Sequence, residues 1–217
     1  TNRAGARHGP RQIREMSTLI RRVHPLTKTE PFRLARCADV GDVPINPIEL
    51  ETSLKSIETF FDGIQQAGAA PLAAGGDHLI SLPILRSLAR KGPLGLVHFD
   101  AHSDTTDSYF NGSRYTHGTP FRRAIEENLI DPRRSVQIGI RGSLHETSDL
   151  DWPLSQGVNI VTMEEFETLG VEGTLGEILR VVGDEPAYVS FDVDGLDPVY
   201  APGTGTPEVG GLTTREA

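Results

Sequence analysis

The 217-residue sequence reads as an α/β protein built around a mainly parallel sheet. Three observations point there. Apolar, strand-like runs alternate with helical patterns along the chain. No internal repeat, low-complexity tract or linker interrupts the alternation. The residues best suited to chemistry follow the strand-like runs, where open parallel sheets place their ligands. The length suits one large domain, 1–217, with a sizeable core.

The clearest helix follows Asn46-Pro47-Ile48-Glu49, where Asn can cap, Pro suits the first turn and Glu takes the capping-box position. Beyond it Leu50, Leu54, Ile57, Phe61 and Ile64 fall on one face at spacings of four and three, which is a core-packing stripe. Shorter helices are expected over 11–22, 82–90, 120–128 and 175–182. Strands are expected over 70–73, 94–99, 135–140, 158–161 and 187–191. Gly75-Gly76-Asp77-His78 follows the first of these strands, Asp100-Ala101-His102-Ser103-Asp104 the second, and Asp192-Val193-Asp194 the last.

Composition narrows the function classes. With 37% apolar and 24% charged residues the chain has the make-up of an ordinary globular protein. Its net charge of −9 argues against general nucleic-acid binding, which needs a surplus of Lys and Arg. Nothing resembles a signal peptide or an apolar run long enough to span a membrane, and the single cysteine, Cys37, cannot form an internal disulfide. A cytoplasmic location and a small, partly buried, unreactive Cys37 are therefore expected.

Asp100, His102 and Asp104 stand at i, i+2 and i+4, so on an extended backbone their side chains project to one side; Asp192 and Asp194 repeat that spacing. His78 can approach from a third strand end. Four carboxylates this close repel one another and raise their own pKa values unless a cation neutralises them. The mixture of His and Asp favours Mn²⁺ over calcium or a thiolate zinc site, and the number of ligands favours two ions sharing carboxylates. An isolated Asp-x-Asp is as readily a turn or a cap, and an isolated His a satisfied core residue. It is the joint occurrence at three strand ends that points to metal. Asp77 is read as a turn or supporting residue and His98 as core.

Gly75-Gly76-Asp77-His78, Asp100-Ala101-His102-Ser103-Asp104, and the run from Ser190 through Asp192-Val193-Asp194-Gly195-Leu196-Asp197-Pro198 together resemble the ureohydrolases, which include arginase, agmatinase and the guanidino-acid hydrolases. Ala201-Pro202-Gly203-Thr204-Gly205-Thr206-Pro207 continues the likeness, which extends from about Gly5 to the last residue. The resemblance implies an arginase-like three-layer α/β/α sandwich, assembled as a homo-oligomer, a trimer or hexamer. It implies two Mn²⁺ ions divided among His78, Asp100, Asp104 and Asp192 or Asp194, with His102 completing one, and Asp100 and Asp192 as the bridging candidates. His117, in His117-Gly118-Thr119-Pro120-Phe121, matches a proton-shuttle position; the other reading of it is a cap on the following helix. The glycine-rich stretch 203–211 lacks the lysine and spacing of a nucleotide loop, and is expected to be a tight loop fixed by Asp197-Pro198.

Two departures matter. Leu79 stands where serine commonly follows the first metal histidine. Family members also carry a further strand with a glutamate that holds the guanidinium, and no such segment follows Ala217; with no Met before Thr1-Asn2-Arg3, the sequence reads as a piece of a longer chain, truncated at both ends.

The activity so implied is hydrolysis of a small guanidino compound to urea and a primary amine, by attack of a bridging hydroxide on the guanidinium carbon and protonation of the amine through His117. The stretch 105–116 is expected to form a loop over the pocket. Within it Asn111 and Arg114 are candidate substrate contacts, Arg114 suiting the carboxylate of guanidinopropionate or guanidinobutyrate, while Asp107 could attract the ammonium of agmatine. His-Gly-Thr-Pro-Phe-Arg-Arg at 117–123 looks closer to agmatinases and guanidino-acid hydrolases than to arginases. Arg3 and His8 carry no assignment. The competing readings are a formimino-glutamate hydrolase, a non-catalytic relative or regulatory subunit, and a metal-stabilised structural domain.

Overall fold

The computed structural model describes residues 5–217, so Thr1, Asn2 and Arg3 lie outside the described residues. Four parallel strands, β1 (Leu94–Phe99), β2 (Ile130–Ile140), β3 (Asn159–Thr162) and β4 (Ala187–Phe191), form one sheet in the order β3-β2-β1-β4. Among the described residues seven α-helices accompany them: α1 (Gly9–Ser17), α2 (Pro31–Leu34), α3 (Leu50–Gln66), α4 (Ser81–Leu88), α5 (Pro120–Glu126), α6 (Asp151–Gln156) and α7 (Met163–Val182).

Alternation along β1 divides the core. Leu96 faces Leu82 and Leu85 of α4, Phe121 and Ala124 of α5, and Leu54 of α3. Val97 faces the other way, packing with Val136, Ile138, Val161 and, from α7, Met163, Phe166 and Val182. Helices therefore cover both sides of the sheet, which is the layered arrangement expected of parallel strands. Leu82, Leu85 and Phe121 are wholly buried, and each contributes about 1.5–3 kcal/mol of transfer free energy.

Several expected elements shift. Strands 94–99 and 187–191 form as expected. The expected strand 70–73 does not form: among the described residues nothing pairs with it, and Leu72 is fully exposed. The helix expected from Pro47 starts a turn later, at Leu50, because the Asn46 side chain accepts from the backbone N–H groups of Ile48 and Glu49 and closes a turn of its own. Its stripe holds at Leu54, Ile57 and Phe61, whereas Leu50 is half-exposed. The helix expected over 11–22 stops at Ser17, where Ser17 and Thr18 hydroxyls donate back to the carbonyls of Arg14 and Glu15. The helix expected over 175–182 is the second half of α7, whose chain bends at Gly170 (φ 65°). Its true start carries a reciprocal capping box between Thr162 and Glu165. Cys37 is exposed rather than partly buried, because it lies in a stretch, 30–42, that packs little against the rest.

Candidate metal centre

The chemically loaded segments meet at the carboxyl ends of β1 and β4. Neither cluster stays extended. Asp100 Oδ1 accepts from the His102 backbone N–H at 2.6 Å, and Asp104 takes a left-handed backbone (φ 53°), a conformation costly for a non-glycine residue. Asp192 Oδ1 likewise accepts from the Asp194 N–H at 3.0 Å and caps the 3-10 turn Val193–Gly195. The even spacing therefore does not place all side chains on one side, as the sequence suggests. The turns deal them out to two neighbouring groups that share Asp100.

In the first group His78 Nδ1 lies 2.8 Å from Asp104 Oδ2 and 3.2 Å from Oδ2 of both Asp100 and Asp192. This nitrogen is buried, and none of the three oxygens lines up with it as a hydrogen bond. His78 Nε2 is within 2.8 Å of Ser190 Oγ. In the second, His102 Nδ1 is 3.3 Å from Asp100 Oδ1 and from Asp194 Oδ2, and Nε2 stands 3.8 Å from Glu208 Oε1. Each oxygen of Asp100 thus serves a different group.

Charge is strained here. Burial raises the Asp104 carboxyl to about 7 and that of Asp194 to about 6, with the Asp100 charge adding to both. Burial opposes charge on His102, yet Asp100 and Asp194 raise it to about 11. Burial likewise works against charge on His78, which the carboxylates of Asp100, Asp104 and Asp192 nevertheless hold well above the ordinary imidazole range. Asp100 is held well below the usual carboxylate range, the surrounding imidazoles outweighing its burial. In the absence of a cation, protons must screen the packed carboxylates. An aimed imidazole nitrogen without a hydrogen bond, ringed by carboxylate oxygens, is the donor set of a small divalent cation, so the residues fit such ions.

Glycine makes the close approach possible. Gly139 (φ 93°) sits where the β2–β3 register shifts, and a Cβ there would lie 3.1 Å from the Asp100 carbonyl oxygen. Gly195 packs its backbone against Asp100 in the same manner, a Cβ meeting the Asp100 nitrogen at 3.3 Å.

Sequence reasoning missed several supporting residues. The Arg141 guanidinium donates to the backbone carbonyls of Asp194 (2.8 Å), Glu208 (2.7 Å) and Val209 (3.0 Å), and to those of Gly139 (3.2 Å), Gly195 and Leu196 (both 3.3 Å). Thr206 Oγ1 donates to Asp194 Oδ2 at 2.9 Å, so the glycine-rich loop reaches the cluster through a hydroxyl. Asp197 fixes that loop as expected, accepting from the N–H groups of Val199, Gly210 and Gly211. Asp77 caps the 3-10 turn His78–Ile80 by accepting from the Leu79 N–H. His98 is wholly buried, as a core residue would be, but it also hydrogen-bonds Asp100 Oδ2 at 2.8 Å. Its ring packs on Phe121, whose edge meets His78 as well.

His117 is half-buried, its Nδ1 has no hydrogen-bond partner, and burial lowers its pKa. It does not cap α5, where Thr119 is the N-cap residue. Instead it stacks on Tyr109, whose loop closes through paired backbone hydrogen bonds between Tyr109 and Ser113. Asn111 sits exposed at the tip of that loop with φ 61°. The Arg114 guanidinium faces Glu126 at 2.9 Å and Asp107 at 3.6 Å, and Asp107 also receives buried Arg123 at 2.6 Å. The structure therefore ties Asn111 and Arg114 into the loop and its anchor rather than into the His–Asp groups.

A parallel sheet thus carries at its strand ends two His–Asp groups that share one carboxylate and offer donors for metal ions. The chain belongs to the arginase family, whose model matches residues 1–217. It is 59% identical over its whole length to guanidinopropionase of Pseudomonas aeruginosa, covering 68% of that protein. It is 47% identical to the mitochondrial guanidino acid hydrolase of Homo sapiens, covering all of this chain and 62% of that one. Among solved structures, proclavaminate amidino hydrolase from Streptomyces clavuligerus superposes with a TM-score of 0.90 at 43% identity, over 99% of this chain and 71% of that one. The chain thus spans about two thirds of the length of the curated relatives it matches. No helix among the described residues is long and apolar enough to cross a membrane.

Proposed function

We propose that this chain carries the metal centre of an amidinohydrolase that cleaves a small guanidino compound, a guanidino acid foremost, to urea and a primary amine. The observation that carries this reading is Asp100, one oxygen of which faces His78 and the other His102. His78, Asp100, Asp104 and Asp192 would hold one ion and Asp100, His102 and Asp194 the other, with manganese suited to the mixed oxygen and nitrogen donors. When bound, two such ions supply Lewis acidity and an activated water at neutral pH. The protein's part is positional. Asp192, the most exposed of the carboxylates, opens the site to solvent and substrate. His117, held by its stack on Tyr109, would relay a proton to the leaving nitrogen, its lowered pKa favouring release once it has taken one up. Arg114, on the loop that carries Tyr109, would serve as the cationic partner for a substrate carboxylate only by exchanging its pairs with Glu126 and Asp107 for it.

Names of relatives favour the guanidino-acid class: guanidinopropionase and guanidinobutyrase of Pseudomonas aeruginosa are 59% and 48% identical to this chain. Exposed Leu19, Ile20, Leu26, Phe32 and Leu34 favour assembly as a homo-oligomer. The test is urea release by manganese-loaded protein offered guanidinopropionate, guanidinobutyrate, agmatine and arginine in parallel, with formamide release from formimino-glutamate as the control. Urea from a guanidino acid is expected. Manganese binding without turnover of any substrate would overturn the catalytic reading.

A further inference from the structure

His98 lies among the potential metal donors His78, Asp100 and Asp104, and its hydrogen bonds decide whether it is one of them. The Gln137 amide fixes their direction. Its nitrogen donates to the Ser103 carbonyl at 2.6 Å, and its oxygen accepts from Ser103 Oγ at 2.8 Å, so the amide can sit only one way round. The remaining amide proton points at His98 Nδ1, 3.1 Å away. That nitrogen must therefore accept, and the imidazole proton must sit on Nε2, 2.8 Å from Asp100 Oδ2. The order runs one residue further back. Ser103 gives its hydroxyl proton to Gln137, so Thr105 Oγ1, 2.6 Å away, donates to Ser103. Thr105, Gln137 and His98 are buried and Ser103 is partly so, which shields the Gln137–His98 end of the line from solvent.

We infer that His98 is a positioning residue rather than a metal ligand: in the Nε2–H tautomer imposed by Gln137, it donates to Asp100 Oδ2 and sets the rotation of the carboxylate shared by the two groups. With one nitrogen accepting and the other donating, His98 has no lone pair left for an ion. Its bond to Oδ2 has a counterpart on the other oxygen, where the His102 backbone N–H donates to Oδ1 at 2.6 Å. One donor on each oxygen holds the carboxylate plane so that the remaining lone pairs face His78 on one side and His102 on the other. The inference rests on the metal-binding reading proposed above.

Two measurements test it. Manganese affinity and stoichiometry are read by calorimetry for the unsubstituted protein, for His98→Gln, whose amide can replace the Nε2–H donor, and for His98→Phe, which cannot. Affinity roughly tenfold or more weaker for His98→Phe is expected, with His98→Gln within about threefold of the unsubstituted protein. Equal loss in both folded variants would make His98 a ligand, and no loss in either would remove its role; both overturn the inference. Independently, long-range ¹H–¹⁵N spectra of the metal-free, histidine-labelled protein report the tautomer without any substitution, and so decide the matter even where a variant fails to fold. A proton on Nε2 alone is expected; one on Nδ1 overturns the inference. If the unsubstituted protein binds no manganese, the functional reading falls, whereas the tautomer result still judges the hydrogen-bond line.

Discussion

The rings of Tyr109 and His117 lie nearly parallel, 10° apart in plane with centroids separated by 5.9 Å. Gly118 makes this possible, because a Cβ at that position would run into the Tyr109 ring. The loop and the histidine are thereby held as one unit. His117 itself makes no hydrogen bond through Nδ1, so its replacement removes ring packing on the Tyr109 loop but no hydrogen bond at that atom. His117→Ala is expected to lower kcat by about a hundredfold or more while leaving manganese stoichiometry and thermal midpoint unchanged. Steady-state urea assays beside calorimetry check both halves.

Loading of the centre should depend on pH with a definite sign. Asp194 and Asp104 hold protons to about 6 and about 7, and His102 to about 11, each above its ordinary value. A cation must displace those protons, so binding releases them and becomes tighter as pH rises. Manganese affinity is expected to increase from pH 5.5 to 7.5. Calorimetry in buffers of different ionisation enthalpy counts the protons released; an affinity flat with pH would contradict the burial-driven shifts.

Gly139 answers to backbone geometry. Its φ of 93° is unfavourable for an L side chain, and a Cβ would press on the Asp100 carbonyl. Gly139→Ala is expected to cost about 1–3 kcal/mol in stability and to weaken manganese binding together with it. Chemical denaturation of the metal-free and metal-loaded forms separates the two effects.

Arg141 holds three segments through backbone carbonyls alone, at 139, 194–196 and 208–209. Lysine keeps the charge but not the planar fork. Arg141→Lys is therefore expected to lose at least about 2 kcal/mol, and to loosen the Thr206–Asp194 contact, lowering manganese stoichiometry from two towards one. Electron paramagnetic resonance would report this as a coupled dinuclear signal giving way to an isolated ion.

The residues that could be read in advance are those whose signals are local. β1 took its expected limits because Leu94–Phe99 is an apolar run with Gly92-Pro93 before it and Asp100 after it. β2 starts well before Ser135, because Asp131, Pro132 and the two arginines hide its first turn of ladder from any periodicity. The first half of α7 carries a local start signal of its own, the capping pair Thr162 and Glu165. At the candidate site the charged side chains were legible as clusters following strand-like runs, but their division between two groups was not, because turns at Asp100 and Asp192 break the extended spacing. Arg141 and Thr206 were not, because their partners are main-chain carbonyls and a carboxylate far away in sequence, which no short motif records. His98 shows both sides: burial was inferable from its place in a strand, and its bond to Asp100 only from the fold.

The division of Asp100 between two groups has a consequence for how the centre fills. Two positions that share a carboxylate cannot be independent. A first ion would displace protons from the groups around Asp100, and its charge would repel a second ion across the shared carboxylate. Occupancy plotted against free manganese should therefore depart from two equal, uncoupled steps, and substituting Asp100 should abolish the departure along with the shared carboxylate.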